Sequence, residues 1–191
     1  SQGALAAGVS LAWILDQIGA LPETPRAPLV LMSYLNPLLA YGYERLAERA
    51  AEVGVAGFIV PDLPLDESGE LDAALAEHGL ALIQLVTPVT TDERLAASCR
   101  ASRGFLYAVT VTGITGGQAD ESGIAAYLER VRGLSSVPVC AGFGLRRPEQ
   151  VREIGRHVPG AVVGSALVEA MERGEDPGKF VRWLQGTAET A

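Results

Sequence analysis

Six short runs of aliphatic and β-branched residues recur along the chain: Pro28 to Met32, Gly57 to Val60, Leu80 to Val86, Phe105 to Val111, Val137 to Ala141 and Gly160 to Val163. Runs of this length with no polar alternation read as strands buried on both faces. Between them, apolar residues fall three and four apart, as in Tyr43-Leu46-Ala47-Ala50-Ala51-Val53 and Ile124-Tyr127-Leu128-Val131. That spacing predicts amphipathic helices. The helix ends are marked: Thr90 with Glu93 suits a capping box, Pro148 a first turn, and Gly54, Gly79 and Gly133 the stops.

Strand starts near residues 29, 57, 81, 105, 138 and 161 give six β-then-α units in succession. Alternation of this kind predicts a parallel sheet, either open and doubly wound or closed into an eightfold barrel. No G-x-G-x-x-G follows an early strand, which weighs against the dinucleotide-binding open sheet. The barrel reading is favoured by the last two strands, which run into Ala141-Gly142-Phe143-Gly144 and Val163-Gly164-Ser165-Ala166. Small residues there let backbone N–H groups close on an oxyanion at a helix start, where barrels of this class hold phosphate. The expected fold is therefore α/β, a TIM (β/α)8 barrel, with strands three to eight present and 1–191 as one incomplete domain. A full barrel runs to about 250 residues, so two units are expected upstream of Ser1. The pattern from Gly174 onward predicts a closing helix.

Composition narrows the function. The formal net charge is −8 and the pI about 4.8, which argues against a nucleic-acid footprint or a polybasic membrane patch. No apolar run approaches a spanning length, and no leader-like segment opens the chain. Two cysteines, Cys99 and Cys140, are too few for a disulfide framework and read as small buried hydrophobes, which makes a reducing cytoplasm the default. Of 15 basic residues only Lys179 is a lysine, leaving 15 − 1 = 14 arginines and almost no candidate for Schiff-base chemistry. No His, Cys or carboxylate cluster has metal-ligand spacing, so no metal is expected.

Catalytic groups of a barrel sit where strands end. Asp62, in Val60-Pro61-Asp62-Leu63-Pro64, is the only carboxylate there and suits either a general acid or base or a turn residue capping nearby amides. Tyr107 suits core packing or a substrate contact. The Gly-rich stretch Thr110 to Gln118 has the length of a lid. His78 and His157 fall late in predicted helices and read as partners of the helix dipole rather than catalysts.

Five motifs in order closely resemble the tryptophan synthase alpha chain family: Leu31-Met32-Ser33-Tyr34-Leu35-Asn36-Pro37 with Tyr41-Gly42, Ile59-Val60-Pro61-Asp62-Leu63-Pro64 with Glu67-Ser68, Thr112-Gly113-Ile114-Thr115-Gly116, Gly142-Phe143-Gly144, and Gly164-Ser165-Ala166. The opening Ala4 to Val9 is similar to the helix after that family's second barrel strand. The resemblance implies a lyase of tryptophan biosynthesis that splits indole-3-glycerol phosphate into indole and glyceraldehyde 3-phosphate. It implies a cytoplasmic alpha2-beta2 heterotetramer in which pyridoxal phosphate belongs to the beta partner and this chain holds no cofactor.

Carried over by position, Gly116, Gly144, Gly164 and Ser165 would hold the substrate phosphate. Met32, Tyr34, Leu85, Phe143 and Val162 would line the indole pocket, with Tyr107 and Thr115 in support. Asn36, Pro37, Asp62 and Pro64 would face the beta partner, which turns Asp62 away from the principal catalytic role. The family's glutamate at the end of the second strand and its aspartate in the following loop have no matching position here; they belong upstream of Ser1. Val111 stands where many relatives carry a polar or basic residue. The expectation is a family member whose 191 residues do not turn over alone. The alternatives are another phosphate-binding barrel of histidine or tryptophan biosynthesis, or a non-catalytic partner that activates a beta subunit.

Overall fold

The computed structural model describes residues 8–110, 121–142 and 144–187. The chain forms two compact units, Ser1–Gln84 with Ser102–Gly104, and Leu85–Ala101 with Phe105–Ala191. Each has its own parallel sheet and core, in agreement with the expected α/β class.

In the first unit, strands β1 (Leu29–Met32), β2 (Val55–Ile59) and β3 (Ala81–Ile83) lie side by side in sequence order, all parallel. Helices α1 (Leu11–Gly19), α2 (Leu35–Tyr41), α3 (Tyr43–Glu52) and α4 (Gly69–Glu77) supply Leu15, Leu38, Leu46, Leu71 and Leu75 to a core that also holds Phe58 and Leu82. Such clustering removes the apolar stripe of each helix from water and is the main favourable term in folding. The stripe predicted from Tyr43 to Val53 is α3, and its stop at Gly54 is real, with φ at +81°. Gly79 closes α4 in the same way, with His78 as the residue that caps it.

In the second unit, β4 (Leu85–Val86), β5 (Leu106–Ala108), β6 (Val139–Ala141) and β7 (Gly160–Ala161) pair in that order, again all parallel. Helices α5 (Asp92–Ala101), α6 (Glu121–Leu134), α7 (Pro148–Ile154), α8 (Ser165–Glu172) and α9 (Pro177–Leu184) follow the strands, the last being the expected C-terminal helix. Val86, Leu106, Ala108, Val139 and Ala141 point to one side of the sheet and join Leu95, Cys99, Tyr127, Leu128 and Val131 in the core. Leu85, Tyr107 and Cys140 are register partners across β4, β5 and β6, and they alternate to the other side.

Three local expectations need correction. The run from Leu80 to Val86 is two strands, because the Gln84 N–H donates to Ser102 Oγ (3.3 Å) and leaves the ladder between β3 and β4. Thr90 does not cap α5: its Oγ1 accepts from the Thr87 N–H (3.0 Å), while the Thr91 carbonyl accepts from the Leu95 N–H (2.8 Å) as the helix starts. The helix predicted to stop at Gly133 runs one residue further, to Leu134. The segment Ala4 to Ala7 lies outside the described residues.

Candidate functional site

Two glycine-bearing turns leave adjacent strands of the second unit. After β6, the Gly142 N–H donates to the Ala108 carbonyl (3.2 Å), and after β7 the Val162 N–H donates to the Ala141 carbonyl (2.9 Å). The two segments approach so closely that a β-carbon on Gly142 would collide with the Val162 carbonyl oxygen. Glycine is therefore a packing requirement at 142, whereas at Gly144 it is a conformational one, with φ at +67°.

Each turn delivers a helix. Pro148 occupies the first turn of α7, as the sequence predicts, and Gln150 Oε1 accepts from the N–H groups of both Arg146 and Arg147 (2.9 and 3.1 Å). Gly164 caps α8 without any side-chain hydrogen bond, and no acidic residue occupies that first turn. Gly164 and Ser165 are exposed, as is Gly144. An uncapped helix start with nearby backbone donors and no competing carboxylate is suited to an oxyanion. Gly144 thus follows β6 and Gly164 and Ser165 follow β7, its paired neighbour, while Gly116 and Thr115 lie outside the described residues.

Of the apolar candidates, Leu85 and Tyr107 are direct register partners, and strand alternation puts Val162 on their side of the sheet. Burial, which disfavours a phenolate, holds the Tyr107 hydroxyl above its ordinary pKa, so it stays a protonated donor at neutral pH. Phe143 lies outside the described residues. Met32 and Tyr34 belong to the first unit, where they are 58% and 68% exposed.

Around them, the Ser33 N–H donates to the Ile59 carbonyl (3.1 Å), and the Leu35 N–H donates to Asp62 Oδ1 (2.9 Å). Asp62 thus serves as the capping acceptor, satisfying one of the orphan donors of α2 from a residue 27 positions away. The bond ties Asn36 and Pro37, in the first turn of α2, to the loop that carries Asp62 and Pro64. All four are exposed.

Sequence reasoning missed α2 itself and an ion pair beside the glycine turns. Arg146 forks onto Glu169 of α8 with Nη1–Oε2 2.6 Å and Nη2–Oε1 2.7 Å. The pair pulls the Glu169 carboxyl below the usual carboxylate range through the Arg146 hydrogen bonds. The two residues are 23 apart, and nothing local in the sequence marks the pair. Among the described residues no group of three or more His, Cys, Asp or Glu is placed to hold a metal, and no helix is long and apolar enough to cross a membrane.

The sequence profile of the tryptophan synthase alpha chain matches residues 1–189. The tryptophan synthase alpha chain of Roseiflexus castenholzii is 46% identical over 183 residues, covering 95% of this chain and 70% of the relative. That of Desulfovibrio desulfuricans is 46% identical over 187 residues, covering 96% and 73%. Among solved structures, tryptophan synthase of Mycobacterium tuberculosis superposes with a TM-score of 0.84 at 36% identity, covering 97% of this chain and 70% of that one. A structure from Aquifex aeolicus gives 0.86 at 34% identity, covering 98% and 73%.

Proposed function

The chain belongs to the tryptophan synthase alpha chain family, and on that premise we propose that its 191 residues bind the phosphate and indole ends of indole-3-glycerol phosphate and present a docking face to a beta subunit. The family is a lyase of tryptophan biosynthesis, and this chain carries strands three to eight of its (β/α)8 fold. The observation that carries the binding proposal is the pair of glycine turns on adjacent strand ends, one of them opening an uncapped helix.

In this reading, backbone N–H groups at Gly144, Gly164 and Ser165 hold the phosphate. Leu85, Tyr107 and Val162 of the second unit receive the ring. Cleavage breaks the bond between indole C3 and the glycerol side chain. The ring carbon takes up a proton, and the adjacent hydroxyl gives one up to become the aldehyde of glyceraldehyde 3-phosphate. A positioned acid–base group contributes about 10²- to 10⁴-fold to such a step. The acid and base that the resemblance implies have no counterpart among these 191 residues, and Asp62 is engaged as a cap. The chain by itself is therefore assigned binding without turnover.

Asn36, Pro37, Asp62 and Pro64 form the face for the beta partner, in a cytoplasmic alpha2-beta2 assembly whose pyridoxal phosphate chemistry belongs to beta. Calorimetric titration with glycerol 3-phosphate and an indole-release assay test the reading. Saturable binding with no indole release is expected, together with stimulation of added beta subunit. Absence of phosphate binding overturns the site assignment, and indole release above the buffer rate overturns the absence of turnover.

A further inference from the structure

In the phosphate reading the two glycine turns offer backbone N–H groups to one anion, and an anion shared between them needs their spacing fixed. β6 and β7 contribute little, since they pair over only two register positions, Cys140 with Gly160 and Ala141 with Ala161. Just past the strand ends the Val162 N–H donates to the Ala141 carbonyl (2.9 Å), and farther out the Arg146–Glu169 fork runs from two residues past Gly144 to the second turn of α8. At its Arg146 end the backbone is itself fixed, because Gln150 Oε1 accepts from the N–H groups of Arg146 and Arg147. The fork is bidentate with both bonds under 2.8 Å, a geometry that constrains distance and angle together.

We propose that Arg146 and Glu169 form a brace that sets the separation of the two phosphate-holding turns, making both of them positioning residues for the substrate phosphate, which neither touches. The proposal rests on the phosphate reading of those turns. It separates from a direct role for Arg146 by the sign of one substitution. If the guanidinium served the phosphate through its charge, removing the Glu169 charge would free it and tighten binding. If the pair is a brace, the same change loosens one end of the site and weakens binding.

The test is calorimetric titration of the 191-residue chain with glycerol 3-phosphate for wild type, Arg146→Lys, Arg146→Gln, Glu169→Gln and the double variant Arg146→Gln/Glu169→Gln, with circular dichroism on each. The brace predicts that every single variant raises Kd about threefold, the scale that coupling in an exposed ion pair permits. The double variant is expected to be no worse than either glutamine single, because both remove the same connection. Arg146→Lys matters because it keeps the charge and loses the planar fork, so wild-type affinity in that variant overturns the brace. Tighter binding by Glu169→Gln overturns it in favour of direct attraction, and unchanged Kd throughout overturns it while leaving the phosphate reading intact. Lack of saturable binding by the wild-type chain removes the phosphate reading, and the brace with it.

Discussion

The Leu35 N–H donates to the Asp62 carboxylate at 2.9 Å, so the carboxylate most easily mistaken for a catalyst is the cap that starts α2. Loss of a capping acceptor removes about 1 kcal/mol, with the low end of the range applying to an exposed one. Asp62→Ala is expected to lower the chemical denaturation midpoint by that scale, while Asp62→Asn, which keeps an acceptor, stays close to wild type. The same variants separate a cap from a partner contact. If α2 is what the beta subunit reads, Asp62→Ala weakens beta stimulation and Asp62→Asn preserves most of it. Equal loss in both variants would make the carboxylate charge the feature that is read.

Much of the architecture was legible because buried strands leave uninterrupted apolar runs, and those from Phe105 to Val111 and from Val137 to Ala141 contain β5 and β6. The same property conceals which side of the sheet each residue faces: nothing in Phe105 to Val111 separates Tyr107 from the core-facing Leu106 and Ala108. The break at Gln84 was hidden because it depends on Ser102, 18 residues on, and α2 because its cap comes from Asp62. At the site, the glycine turns were readable from local composition. The Arg146–Glu169 fork was not, since it joins the loop before α7 to the second turn of α8, 23 residues on, and local pattern reading does not look that far.

Glycines at the two turns answer to different constraints, which substitution can tell apart. An alanine methyl at 142 would run into the Val162 carbonyl, a backbone atom that yields only if the strands separate. Gly142→Ala should therefore cost about 1 to 3 kcal/mol, the range for overpacking. At Gly164 a β-carbon meets nothing within 4 Å and φ is −120°, so Gly164→Ala should fold with wild-type stability. Urea denaturation of the two variants checks the contrast. A stable Gly142→Ala would mean that the approach of the segments after β6 and β7 is not a packing constraint.

Tyr127 donates its hydroxyl to the Val86 carbonyl (2.9 Å) from within the core of the second unit. That carbonyl also accepts from the Val109 N–H (2.8 Å), so Tyr127→Phe leaves no orphaned acceptor and should lose only about 0.5 to 1.5 kcal/mol. Burial is the main reason its phenol titrates well above the ordinary tyrosine value of 10.0. The folded state therefore holds this proton more tightly than the unfolded state does. The resulting stability is present below pH 10 and is lost as pH rises towards the folded value. The stability difference between wild type and Tyr127→Phe should accordingly shrink as denaturation is repeated from pH 8 to pH 11. A constant difference would mean that the phenol is not protected by burial.

The two thiols should differ in reactivity although neither is bonded to the other. Cys99 is 1% exposed and packed in the core of the second unit, whereas Cys140 points to the opposite side of the sheet and is half-buried. Desolvation by burial raises both thiols above their ordinary pKa. Only the thiolate reacts, so labelling should be slow for Cys140 at neutral pH and should accelerate as pH rises. With Ellman's reagent on the native chain, one equivalent is expected to react, and the second only on adding denaturant. Cys140→Ser should abolish the native equivalent and leave the denatured one. If Leu85, Tyr107 and Val162 receive the indole ring, Cys140 lies in the same register row as Tyr107, and saturating indole should slow its labelling without changing that of Cys99 in denaturant. Labelling insensitive to indole would move the ring away from this face of the sheet.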